Sequence, residues 1–177
     1  TMSEVMPDKA NGNVVLDELS ENTNVINELN IPVLCMGCKN MIVAISSDGI
    51  LIADKERSEH MKTYVEKIAV NTMYAEKSWG SFRVIDIQPG AMTVKISMNA
   101  NEKMSYHMHN LRKEIWTVIS GKGEAILDGI GHMLSPGDVI SIAAGCKHTI
   151  KAITNLSLLE LQMGDEIVTT DKYKFPI

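Results

Sequence analysis

Between positions 14 and 53 the chain alternates short apolar runs (14–16, 25–26, 33–34, 41–45 and 50–53) with Asn, Gly, Ser and Asp. Runs of that length bounded by turn residues predict short β-strands. Ser47-Asp48-Gly49 between MIVAI and ILIA predicts a hairpin, because Asp-Gly tolerates the positive φ angles of a tight turn. At Asp54 the period changes. Met61, Tyr64, Val65 and Ile68 recur at helical spacing while Glu59, Lys62, Glu66 and Lys67 take the other faces, which predicts an amphipathic helix over 54–68 with Asp54 as its N-cap. Its apolar face is expected to cover a sheet or core rather than to bind a partner.

After a polar connector the strand pattern resumes at 81–88, 92–98, 104–109, 114–120, 124–127, 132–134, 139–142, 148–153 and 156–162. Pro89-Gly90, Asp128-Gly129 and Ser135-Pro136-Gly137-Asp138 punctuate it. Many short strands with no helix among them predict a mainly β, closed or double-sheet architecture such as a jelly roll. Within 114–119, Trp116 and Val118 point one way and Ile115 and Ile119 the other. Both faces should therefore be covered, the outer one by the N-terminal strands or by a second subunit. Residues 1–11 carry no apolar period and are expected to be a disordered N-terminus.

Composition narrows the function classes. A chain of 177 residues, 45% apolar, holds one domain or a domain with an appendage. Its net charge of −5, with no basic run, argues against nucleic-acid binding. No uncharged apolar run approaches the roughly 20 residues of a membrane span, and the N-terminus lacks secretory features, so a soluble cytoplasmic protein is expected. Three cysteines suit reduced thiols. Cys35 and Cys38 form a C-x-x-C, but within an apolar strand-like run without a second pair, so buried small side chains are the expectation. The 12 methionines read as core filler.

One constellation carries chemistry. His107 and His109, two apart on a strand, project to one face. A turn through Asn110 and Leu111 returns Glu114 beside them, and His148 follows the loop 143–147 to complete the set. Three imidazoles and a carboxylate suit a divalent metal, Zn first, with Mn, Fe, Co or Ni as alternatives, and leave positions open for a substrate. His60 and His132, each alone, read as ordinary polar residues.

With those residues in hand, the chain resembles the cupin superfamily, whose first motif here reads Asn101, His107, His109, Glu114 and Gly121, with Asn101 in place of the usual Gly. Its second motif reads Gly137, Ala143, Gly145, His148 and Ala152, lacking the usual Pro and Asn. Glu76-Lys77-Ser78-Trp79-Gly80-Ser81-Phe82, Arg112-Lys113-Glu114-Ile115-Trp116 and Leu159-Glu160-Leu161-Gln162-Met163-Gly164 are similar to three segments of type II mannose-6-phosphate isomerases. In that family Gln often stands at the position of His107, and His at that of Leu111. Upstream, the segment from about Gly12 to Ile68 resembles the tail of mannose-1-phosphate guanylyltransferases. Asn11-Gly12-Asn13 is too sparse for a nucleotide loop, so the GTP-binding half is expected to be absent.

The resemblance implies a cupin double-stranded β-helix over 76–177, preceded by a β-rich segment with one helix over 12–70. It implies interconversion of mannose 6-phosphate and fructose 6-phosphate, with His107, His109, Glu114 and His148 holding the metal. Glu160 and Gln162 share a strand face, so Glu160 is the candidate acid/base or else a solvated strand carboxylate, and Gln162 with Trp116 belongs to the pocket. Arg112, on the face of Glu114, is a candidate catalytic and phosphate-binding residue; Lys95 and Lys147 are further candidates for the phosphate, or else solvated lysines. The expected partners are a sugar phosphate and, as in cupin relatives, a second copy of the chain. Two other functions remain open: a non-catalytic metal- or sugar-binding module working with a guanylyltransferase, and an iron-dependent cupin oxygenase.

Overall fold

The computed structural model describes residues 9–68 and 72–176. The expected loose N-terminus lies outside them for its first eight residues. The chain divides into two compact units, residues 1–72 and 73–177.

The first unit holds β1 (Ala10–Asn11), β2 (Val14–Leu16), β3 (Asn24–Asn27), β4 (Val33–Cys35), β5 (Met41–Ser46) and β6 (Gly49–Asp54). Ala10 and Asn11 thus belong to a strand, which corrects the reading of 1–11 as wholly loose: they pair in parallel with Val25 and Ile26. β3 continues in parallel onto β5, and β2 pairs in parallel with β4. Successive coils therefore stack on one another, and the only hairpin among the described strands of this unit is β5–β6. Corner residues make this possible. Asn22 and Asn40 sit at positive φ, 47° and 56°, and the amide of Asn22 donates to that of Asn40 one coil further on, at 2.8 Å. Asn tolerates the left-handed region better than most residues. Inside, Val25, Cys35, Val43 and Ile45 form the core, and Cys38 packs against them. The three cysteines are free thiols; burial pushes the Cys35 thiol pKa up, with Cys38 beside it.

The helix is much shorter than its sequence period suggests. Asp54 accepts from the backbone N–H of Glu56 and Arg57, closing a turn, then comes one 3₁₀ turn (Ser58–His60), and only Met61–Val65 are α-helical (α1). Tyr64, Val65 and Ile68 are exposed. A five-residue helix with no buried residue lacks the packing that stabilises short helices.

The second unit is a jelly-roll barrel of two antiparallel sheets. One runs β14 (Val139–Ile142), β11 (Lys113–Ser120), β16 (Leu156–Met163), β9 (Ala91–Met98), β8 (Gly80–Gln88), β7 (Tyr74–Lys77). The other runs β13 (Ile130–Leu134), β12 (Gly123–Leu127), β15 (His148–Ala152), β10 (His107–Met108), β17 (Tyr173–Lys174). Asp128 and Gly129 take φ of 45° and 85°, the positive pair a two-residue hairpin turn requires, between Leu127 and Ile130. Strict alternation along β16 buries Leu156, Leu158, Glu160 and Gln162 on one face. Val94, Ile96, Trp116, Val118, Ile150 and Leu158 pack together in the interior, and buried polar side chains lie beside them, Trp116 touching both sets.

Candidate metal centre

His107 and His148 are direct partners across β10 and β15, so pairing alone sets their rings side by side, centroids 4.3 Å apart. His109, two residues past His107, brings a third ring within 4.9 Å of it. The three imidazoles have nitrogens all within 4.8 Å of one another, and all three residues are buried. Glu114, at the start of β11 in the opposite sheet, reaches across: its Oε1 lies 3.3 Å from His109 Nε2 and its Oε2 3.3 Å from His148 Nε2. Two donors each about 2.1 Å from a common ion stand roughly 3.0–3.4 Å apart, so these spacings fit a shared cation.

The outer nitrogens explain why the inner ones face each other. His107 Nδ1 contacts Ser105 O at 2.6 Å, His148 Nδ1 contacts Cys146 O at 3.0 Å, and His109 Nδ1 contacts Asp171 O. A carbonyl only accepts, so each Nδ1 carries the proton and each neutral ring turns its Nε2 lone pair inward. His148 Nε2 is buried without a hydrogen-bond partner among the described residues. A lone pair facing a carboxylate at contact distance needs positive charge, a proton or a metal ion, to be stable. Burial pushes the His107 pKa down to about 3 and lowers that of His109, which keeps these rings available as neutral ligands. Burial by itself raises the Glu114 carboxyl, but His148, His109 and Arg112 beside it more than offset this and hold it at about 2.

Next to this cluster lies a second carboxylate with the opposite bias. Trp116 Nε1 donates to both Glu114 Oε2 (3.2 Å) and Glu160 Oε2 (3.1 Å), and Gln162 Nε2 donates to Glu160 Oε1. Burial, then the negative charge of Glu114, pushes the Glu160 carboxyl up to about 7. One indole N–H thus bridges a carboxylate held ionised and one poised near neutrality.

Residues 62–175 match the family model described as mannose-6-phosphate isomerase C-terminal. The chain belongs to that family. Curated relatives include the mannose-1-phosphate guanylyltransferase of Escherichia coli K12, 27% identical over 97% of this chain, and guanylyltransferase ManC of Salmonella typhimurium, 28% identical over 91%. The chain spans only 38% and 35% of those proteins' lengths. Among solved structures, the capsular polysaccharide assembling protein CapF of Staphylococcus aureus superposes with a TM-score of 0.52 at 18% identity, over 64% of this chain and 35% of that one. The likeness extends to the fold, a cupin barrel. No helix among the described residues is long and apolar enough to cross a membrane.

Within this family's barrel the positions expected from sequence are distributed unevenly. His107, His109, Glu114, His148, Trp116, Glu160 and Gln162 converge. Glu160 is buried, so the alternative of a solvated strand carboxylate does not hold. Arg112 points inward, but its guanidinium lies 3.5 Å from Glu114, 3.2 Å from His109 Nε2 and 3.1 Å from Val168 O, with the Asp171 carboxylate at 3.8 Å. Its contacts are with the chain itself. Lys95 is a correction: it is exposed and alternates with the interior residues Val94 and Ile96, so it leaves β9 on the face away from the histidines. Lys147 is exposed beside His148, its ammonium 4.4 Å from the centroid of the Phe175 ring.

The sequence reading missed the C-terminal strap. Phe175 N bonds Tyr106 O, β17 pairs with β10, and Asp171 is buried, accepting from the N–H of Asn110 (2.9 Å) and Leu111 (3.1 Å). Its neighbour Lys172 presents part of its surface to solvent while burial lowers the pKa of its ammonium, an effect opposed by Glu160 and Glu114. A 14-residue tail without apolar alternation offers no signal that it closes over a site; an acidic residue able to cap a turn was the one available hint.

Proposed function

We propose that this chain is a divalent-metal-dependent aldose–ketose isomerase acting on mannose 6-phosphate and fructose 6-phosphate. The observation that carries the reading is the pairing through Trp116 Nε1 of Glu114, a carboxylate facing two inward lone pairs, with Glu160, whose carboxyl titrates near neutrality. Family membership supports the substrate class. His107, His109, Glu114 and His148 would hold the metal, and a cation there supplies positive charge to the substrate oxygens as a proton leaves the adjacent carbon.

The residues of the chain do the rest. Ionised Glu160 takes the proton from C2 of the aldose and, protonated, returns it to C1 while the hydroxyl proton of O2 passes to O1, a cycle that suits a group whose two protonation states are close in free energy at neutral pH. Gln162 and Trp116 fix both carboxylate oxygens of Glu160 during the exchange. Arg112, tied to His109 and Glu114, acts as a positioning residue. The buried setting keeps bulk water from competing for the proton.

The test is a coupled assay of mannose 6-phosphate turnover on metal-replete protein. Turnover abolished in Glu160→Gln and His109→Ala supports the proposal; folded, metal-loaded wild-type protein with no turnover overturns it. That second outcome is what a metal- or sugar-binding module of a guanylyltransferase would give, a reading favoured by the likeness of the chain to those transferases.

A further inference from the structure

On its outer face the six-stranded sheet carries a row of hydroxyls that the metal centre does not use. Ser81 pairs with Ser97, Ser97 with Ser157, and Ser157 with Ser120, so four neighbouring strands each place a serine at the same level. Neighbouring strands are about 4.8 Å apart, which makes a ladder of hydroxyls, each able to donate once and accept twice. The row lines a cavity of about 550 Å³, within the size range of small-molecule sites.

The cavity is shaped by backbone as well as by side chains. Gly80, at positive φ, lines it; a Cβ on Gly80 would stand 2.1 Å from Ser97 O. Inside it, the Ser157 hydroxyl is buried and has no hydrogen-bond partner among the described residues. Asn155 Oδ1 accepts from Ala100 N, leaving the amide nitrogen as a donor. Glu76 and Lys77 contribute one charge of each sign, so the lining has no net bias toward an anion.

We propose that this cavity is a binding site for a neutral carbohydrate, a hexopyranoside held by the serine ladder and the neighbouring amides. A polyol matches a wall of groups that both donate and accept; a phosphate would call for an excess of cationic donors. The site lies on the opposite face of the sheet from the histidines and is independent of the isomerase reading.

The test is a titration of the full ¹⁵N-labelled chain with methyl α-D-mannopyranoside, methyl α-D-glucopyranoside and inorganic phosphate. The expected result is saturable shifts of the Ser97 and Ser157 amides with at least one glycoside. Dissociation constants should be in the millimolar range, weakened at least ~10-fold in Ser97→Val and Ser157→Val and retained in Ser97→Thr. Valine suits a strand, so these variants are expected to fold; Asn99, which also lines the cavity, provides a further variant, Asn99→Ala, should Ser157→Val not. The proposal is overturned if no glycoside saturates up to about 50 mM, if phosphate alone gives the shifts, or if binding survives the valine substitutions.

Discussion

Glu114 Oε2 and His148 Nε2 face each other at 3.3 Å, while the far nitrogen of the same ring contacts Cys146 O at 3.0 Å. With the ring's proton on the far side, the near side presents a lone pair to a carboxylate, an arrangement that a metal ion between them would stabilise.

A cation held by these groups should stabilise the folded chain. Adding Zn²⁺ or Mn²⁺ to chelator-stripped protein is expected to raise the Tm. At a hundredfold excess over Kd the stabilisation would be about 2.7 kcal/mol. In Glu114→Gln the gain should shrink sharply. A wild-type Tm indifferent to either metal would remove the basis for the centre.

The strap residue Asp171 should matter as much to the metal as a ligand's direct neighbour does. Its carboxylate fixes the turn at Asn110 and Leu111, and its backbone oxygen holds His109. Asp171→Ala strands two N–H groups at a cost of about 1–3 kcal/mol and is expected to weaken metal affinity ~10–100-fold. Competition with a chromogenic chelator measures this. Unchanged affinity in a folded Asp171→Ala protein would mean that the strap only covers the site.

The convergence of the three histidines and Glu114 was legible because its logic is local: His-x-His needs only a period of two, and Glu114 only a short turn. Even the departure at Asn101 has a backbone reason, since Asn101 sits at φ 68°, a left-handed position that Asn tolerates where the cupin motif has Gly. The parallel stacking of β1, β3 and β5 was not legible, because short apolar runs do not encode pairing direction. The helix was overread at Tyr64, Val65 and Ile68, where the period is present but no described surface buries it. Lys95 was misplaced by a matter of parity: one residue along β9 separates the interior from the outer face.

Glu160 sets a pH dependence whose sign can be worked out. Its folded pKa, about 7, lies above its ordinary value of 4.5, so the native state holds this proton more tightly than the unfolded chain. The contribution is fully present below pH 4.5 and is lost as pH rises through about 7. His107 acts oppositely: with its pKa lowered from 6.5 to about 3, stability falls as pH drops through that window. The difference between wild type and Glu160→Gln isolates the carboxyl. Metal-free wild type should lose stability relative to Glu160→Gln between pH 4.5 and 7, measured by urea unfolding. A constant difference across that range would show that Glu160 is ionised throughout.

Two glycines of the cupin motifs, Gly121 and Gly145, share nearly the same backbone angle, φ 84° and 82°, but differ in their surroundings. A Cβ on Gly121 would meet Asn155 O at 2.0 Å, whereas one on Gly145 meets nothing within 4 Å. Gly145→Ala therefore costs only the left-handed backbone, about 1–2 kcal/mol, partly offset by the reduced freedom of the unfolded chain. Gly121→Ala adds a clash with backbone that no rotamer can relieve, since Gly121 directly follows β11 and Asn155 directly precedes its neighbour β16, and a loss above about 3 kcal/mol is expected. Paired unfolding curves decide the matter. Equal losses at the two positions would mean that the turn at Gly121 relaxes, and that φ alone, not the close approach of Asn155, explains the glycine there.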